Sequence, residues 1–121
     1  MQQILMRMNQ TPGIVGSFVV GADGMLVASD VSWVMNEESV GALASAIINT
    51  VERASSQIDQ GPLKSVAIET DGNKLFFSPT RLGYLVTIAT QQANVGLVRL
   101  EMENAVDLLN ASVAPDQSTQ F

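Results

Sequence analysis

The chain has 121 residues, 46% of them hydrophobic, enough for one domain around a single core. Twelve acidic against six basic residues give a net charge of −6, which argues against nucleic acid as a partner. The absence of Cys and His excludes disulfides, thiolate metal sites, Cys nucleophiles and imidazole proton relays, leaving carboxylate or Lys chemistry and Mg²⁺ or Ca²⁺ sites.

In chain order, the opening MQQILMRMNQTPG lacks the charged start and apolar run of a signal peptide. Ile4, Leu5 and Met8 have helical spacing, and Thr11-Pro12-Gly13 ends that helix. IVGSFVVG, from Ile14 to Gly21, is apolar on both faces, the pattern of a strand covered on both sides. Met25 to Ser29 reads as its partner strand. The Asp23-Gly24 pair between them predicts a tight primed hairpin turn. A Ca²⁺ loop would need more oxygen ligands, and Gly24, Met25, Leu26 and Val27 supply none from their side chains.

Asp30 opens the connection DVSWVMN, which ends at a helix cap, Asn36, with Glu37 and Glu38 in the first turn. The helix runs to about Ile58, with Val40, Leu43, Ala44, Ile47, Ile48, Val51 and Ile58 as its apolar stripe. Its other flank is small and uncharged (Gly41, Ala42, Ser45, Ala46), so a second surface is expected against it. Gly41 and Ser45 permit close approach either to another helix or to a neighbour in the same subunit.

Gln60-Gly61-Pro62 ends the helix, and strands follow at Leu63 to Thr70, Lys74 to Ser78 and Gly83 to Thr90. The run from Leu82 to Val98 is uncharged, but Gln91, Gln92 and Asn94 make it too polar to span a membrane. A soluble, cytoplasmic protein without a membrane partner is expected. Asn94 caps a last helix carrying Val98, Met102, Ala105, Val106 and Leu109 to about Asn110. The domain is thus expected over 1–111, with 112–121 a polar, disordered tail. The order α-β-β-α-β-β-β-α predicts an α+β fold, a five-stranded antiparallel sheet with helices on both faces.

Four stretches resemble the Roadblock/dynein light chain family: GIVGSFVVGADGMLVASD, VGALASAIINTVERA, SVAIETDGNKLFF and GYLVTIATQQANVGLVRLEMENAVDLL. Together they cover about residues 4–110, and the last is the most specific. The short first helix is a departure. The resemblance implies a non-catalytic homodimer that regulates or scaffolds another machine. Prokaryotic members commonly act on small Ras-like GTPases, which makes such a GTPase the expected partner.

If the family's strand order holds, the strand Leu63 to Thr70 has one open edge, without proline, bulge or inward charge between Ser65 and Ile68. Two-fold pairing of that edge and of the small helix flank predicts a dimer interface at Gly41, Ser45, Ile48, Val66, Ala67 and Ile68. Partner-binding residues are expected at Trp33, Glu38, Asn49, Glu52 and Arg53. Each has a plainer reading, Trp33 as a staple at the core edge and Glu38 as a first-turn acid. Arg81 and Arg99 carry no supporting motif for an arginine finger, and no GxxxxGK[ST] is present.

No cofactor, metal or catalytic residue is expected. The competing functions are a small-molecule sensor, a structural adaptor for a non-GTPase complex, and an enzyme using Asp23, Asp30 and Glu69. The sensor would need polar groups to orient a ligand among aliphatic residues, and the enzyme would need its carboxylates to converge.

Overall fold

The computed structural model describes residues 1–34, 36–59 and 61–113. Its elements are α1 (Gln2–Met8), β1 (Ile14–Gly21), β2 (Leu26–Val31), α2 (Glu37–Gln57), β3 (Val66–Glu69), β4 (Asn73–Thr80), β5 (Gly83–Thr90) and α3 (Val95–Ser112). The strands form one antiparallel sheet in the order β2-β1-β5-β4-β3, the α+β arrangement that the sequence pattern predicts.

The two faces of the sheet carry different helices. Leu5 and Met8 of α1 join Val98, Met102, Ala105 and Leu109 of α3 over Val19, Phe76, Leu85 and Ala89. On the other face, Ala44 and Ile48 of α2 lie over Phe18, Val20, Phe77 and Val86. The central strands β1 and β5 are therefore apolar on both sides.

Simple alternation would put Ile14 on the face of Phe18 and Val20. Instead a register shift between Ile14 and Gly16 inserts Val15, and Ile14 joins the α1/α3 core. A similar shift beside Val19 and Val20 leaves Val27 exposed between Leu26 and Ala28, which face opposite cores.

Polar groups anchor the short first helix. Ser17 and Thr87 are cross-strand partners and both fully buried. Ser17 Oγ donates to Asn9 Oδ1 at 2.8 Å, and Asn9 Nδ2 donates to the carbonyl and Oδ2 of Asp30, each at 2.8 Å. A buried hydroxyl needs such a partner, so the network holds the C-terminal end of α1 to both strands of the first hairpin. The brevity of α1 is thus compatible with sealing a core.

The Asp23-Gly24 hairpin does not use the primed turn expected of it. Gly24 has φ of +83°, but Asp23 does not adopt positive φ. The first corner is a type I turn closed by Gly24 N–H to Gly21 O at 3.0 Å, with Gly24 as the left-handed residue. Asp23 Oδ1 accepts from Met25 N at 3.0 Å, the local bond that favours Asp in a turn.

β3 is shorter and β4 longer than expected, for one reason. Thr70 N donates to Asn73 O, so in the alternating ladder Asn73, Leu75, Phe77 and Pro79 direct their backbone groups toward β3. Pro79 has no N–H to offer, and β3 begins only at Val66, opposite Phe77. Pro79 itself stays in β4, paired with Tyr84.

Helix α3 continues to Ser112, past the expected end of the domain. The tail expected beyond it lies outside the described residues from 114 onward. Asn36 and Asn94 cap α2 and α3 as expected, each side chain accepting a backbone N–H at 3.0 Å.

Candidate assembly and partner-binding surface

The α2 side of the sheet is incompletely covered. Phe18, Val20, Phe77 and Val86 are buried there, but Val40, Ile47, Val66, Ile68, Leu75 and Ile88 are only partly buried against them. On the helix, Leu43 lies beside Val40 and Ile47 by i, i+3 and i+4 spacing, and it is 65% exposed. The incomplete cover adjoins the open edge of β3.

The ladder shows which backbone groups that edge presents. Because Thr70 bonds to Asn73, Ile68 and Val66 bond to β4, and Ala67 and Glu69 direct their N–H and C=O groups outward. Ala67 is exposed, while Val66 and Ile68 face α2 and are half-buried. This is an edge strand at four-residue length, with unpaired donors and acceptors at its centre.

The small flank of α2 divides into two. Gly41 is buried beneath the first hairpin, and a Cβ there would run into the carbonyl oxygen of Gly24. Ser45 is half-buried beside the same glycine. Ile48 is 2% exposed, inside the α2 core. Gly41 and Ile48 are therefore packed within the subunit. Close backbone approach at Gly41 serves the subunit's own turn.

Ala42 and Ala46, the other half of that flank, are exposed together with Leu43. Leu43 was legible as apolar but not as outward-facing. It sits about 140° round the helix from Ile48, at the far margin of a stripe that only a ~100° arc can bury.

The remaining expected positions occupy several places. Glu38, Asn49 and Arg53 are exposed on the outward face of α2. Glu52 turns toward the sheet, where Tyr84 Oη donates to its Oε2 at 2.7 Å. Burial, then the bond to Glu52 and its charge, push the Tyr84 phenol up to about 12. Trp33 lies over Gly16, where a Cβ would meet its ring, yet it remains 43% exposed. Its location thus fits the core-edge staple while keeping an accessible aromatic surface. It borders a shallow cleft of about 320 Å³ with Asp30 and Glu37.

The three carboxylates considered for catalysis serve separate parts of the fold. Asp23 closes a turn, Asp30 accepts from Asn9, and Glu69 lies on the β3 edge. Arg99 stands over the Phe76 ring, 6.0 Å from its centre, and Arg81 donates its backbone N–H to Asn110 Oδ1. No helix among the described residues is long and apolar enough to cross a membrane.

An antiparallel sheet with two helices on one face, one long helix on the other and an open outer strand defines an α+β domain of the Roadblock type. A family model described as Roadblock/LC7 domain matches residues 1–90, and the chain belongs to that family. It is similar to an uncharacterized protein of Methanocaldococcus jannaschii, 37% identical over 109 residues, covering 90% of this chain and 96% of the relative. Among solved structures, MglB of Myxococcus xanthus superposes with a TM-score of 0.85 at 20% identity, covering 91% of each chain. A Roadblock/LC7 domain from Streptomyces avermitilis superposes at 0.84, also 20% identical, covering 92% of this chain and 95% of that one.

Proposed function

We propose that the protein is a non-catalytic homodimeric subunit that regulates or scaffolds a small Ras-like GTPase. The observation that carries the dimer is the half-covered α2 face lying beside an open β3 edge. Each is a liability in a monomer, and one two-fold axis satisfies both.

In this reading β3 pairs with β3 of a second copy through the outward backbone of Ala67 and Glu69, giving a continuous sheet. Val66, Ala67 and Ile68 remain at the interface, with Ser45 at its margin. Leu43 replaces Gly41 and Ile48 as the helix contact. A GTPase then binds the outward α2 surface formed by Glu38, Asn49 and Arg53, with Glu52 and Trp33 at its borders.

Family membership supports the regulatory role, since prokaryotic Roadblock proteins commonly serve small GTPases. The shape similarity to MglB supports the fold such a role uses. The chain's lack of a P-loop motif fits a protein that acts on the partner's own nucleotide site.

Capture from source lysate by wild type, Glu38→Lys and Glu52→Lys tests the partner surface. Retention of a GTPase by wild type and its loss in both variants is expected. Equal capture by all three removes this surface from the proposal, and failure to capture any GTPase removes the partner.

A further inference from the structure

Helix α3 carries a second apolar stripe. Val98, Met102, Ala105 and Leu109 are buried against the sheet. Leu97, Leu100 and Leu108 are exposed, and so are Asn104 and Ala111. At about 100° per residue these five positions share an arc of about 80°, centred about 130° round the helix from the buried stripe. The sheet beneath α3 is closed, so what stays open is the outer side of the helix. One apolar stripe seats a surface helix, and the second adds nothing to the subunit's core.

That second stripe has the same spacing read in either direction. Leu100 and Leu108 stand four positions either side of Asn104, and Leu97 and Ala111 seven positions either side. Turned end over end, the stripe matches itself, as a two-fold contact between identical chains requires. In such an antiparallel pair Leu100 faces Leu108 of the second copy, and Leu97 faces Ala111. The two Asn104 side chains then meet at the axis. An amide can both donate to and accept from its copy there, and a single asparagine in an apolar helix seam fixes register.

A groove of about 540 Å³ lies beside the stripe, between α1 and α3, with Ile4, Arg7, Glu101 and Leu108 among its walls. Arg7 and Glu101 make no ion pair with one another or with any other of the described residues. An antiparallel two-fold pair keeps both grooves on one side of the seam, which brings Arg7 of each copy toward Glu101 of the other.

We infer that the outer stripe of α3 is a second self-association surface, on which α3 packs antiparallel against α3 of another copy about Asn104. A single helix pair is a small interface, and the exposed Glu103 and Asp107 add like charge to both sides, so each contact is weak. In the homodimer proposed above both α2 helices share one side of the joined sheet, which leaves both α3 stripes on the other. Two dimers stacked on that side form two α3 contacts and close a tetramer. The stacking rests on the homodimer reading, whereas the α3 contact does not.

Sedimentation velocity of the whole protein, from micromolar to several hundred micromolar, tests the inference. Wild type should pass from dimer to tetramer. Leu100→Lys should weaken that step at least about tenfold. Its thermal midpoint should hold, because the side chain is 52% exposed. Combining Leu100→Lys with Leu108→Glu sets opposite charges across the axis twice, and should associate about fivefold more tightly than Leu100→Lys alone. A wild type that stays dimeric throughout, a Leu100→Lys chain that associates like wild type, or a double variant no tighter than the single one overturns the inference. Leu43→Arg separates the two contacts, since it should still pair through α3 at high concentration. If Leu43→Arg leaves all association unchanged and Leu100→Lys abolishes it, the β3 dimer falls and the α3 contact stands.

Discussion

The two faces of the sheet are built from similar aliphatic residues, yet one is finished and the other is not. Under α1 and α3, Leu5, Leu85, Ala89, Val98 and Leu109 are fully buried. Under α2, Ile47, Ile68, Leu75 and Ile88 stay partly open. The difference follows from helix number. Two helices cover one face, and a single helix cannot cover a five-stranded sheet whose outer strands also need sides. An apolar face left half-covered within a subunit points to a second molecule, whereas a closed face reports only on stability.

Substitutions on the two faces should therefore fail in different ways. The largest effect is expected on the closed side, where Leu109→Ala should cost about 2–5 kcal/mol in urea unfolding. That loss should appear at every protein concentration. If instead it vanishes at high concentration, the closed face is also an assembly surface and the comparison breaks.

On the open side, Leu43→Arg and Ala67→Pro should leave the subunit folded but weaken self-association at least about tenfold, or ~1.4 kcal/mol. Proline at Ala67 removes a donor that points outward, so no bond to β4 is lost. Light scattering across a dilution series reads the outcome. A wild-type monomer at micromolar concentration refutes the dimer.

A smaller and equal effect is expected at the caps. Asn36→Ala and Asn94→Ala should each cost about 1 kcal/mol, because each removes one acceptor for an orphan N–H. Unequal costs would show that α2 and α3 contribute differently to the subunit's cooperative unit.

The smallest effect concerns pH. Tyr84 is the only tyrosine, so ultraviolet titration reports on it alone. Its folded value of about 12 lies above the ordinary 10.0. The folded state therefore favours the neutral phenol. The associated stabilisation is complete below pH 10 and is lost as pH rises toward 12. Glu52→Gln should move the transition back toward 10 without abolishing the shift, since burial is its leading cause.

Sequence patterning carried the sheet further than it carried the surface. Element order, both helix caps and the two-sided strands were legible because periodicity and capping are local. The strand ends at Val66 and Thr80 were not, because they depend on which way a ladder alternates. Gly41 illustrates the limit for the site. Its spacing from Ser45 indicates close packing, but the packing neighbour, Gly24, is set by tertiary structure. Leu43 and Ile48 are likewise indistinguishable in composition and separated only by the exact rotation of α2.

The sheet order also has a kinetic meaning. β1 pairs with β2, and β4 with β3 and β5, through nearby turns, but the central seam joins β1 to β5, from Gly21 with Gly83 to Ile14 with Ala89. That seam closes across all of α2 and the second hairpin, so its loop entropy must be met before either core gains its full burial. During synthesis the first hairpin and α2 must wait, unpaired along β1, until β5 has left the ribosome. The apolar strand IVGSFVVG is then the segment most in need of protection while the chain is incomplete.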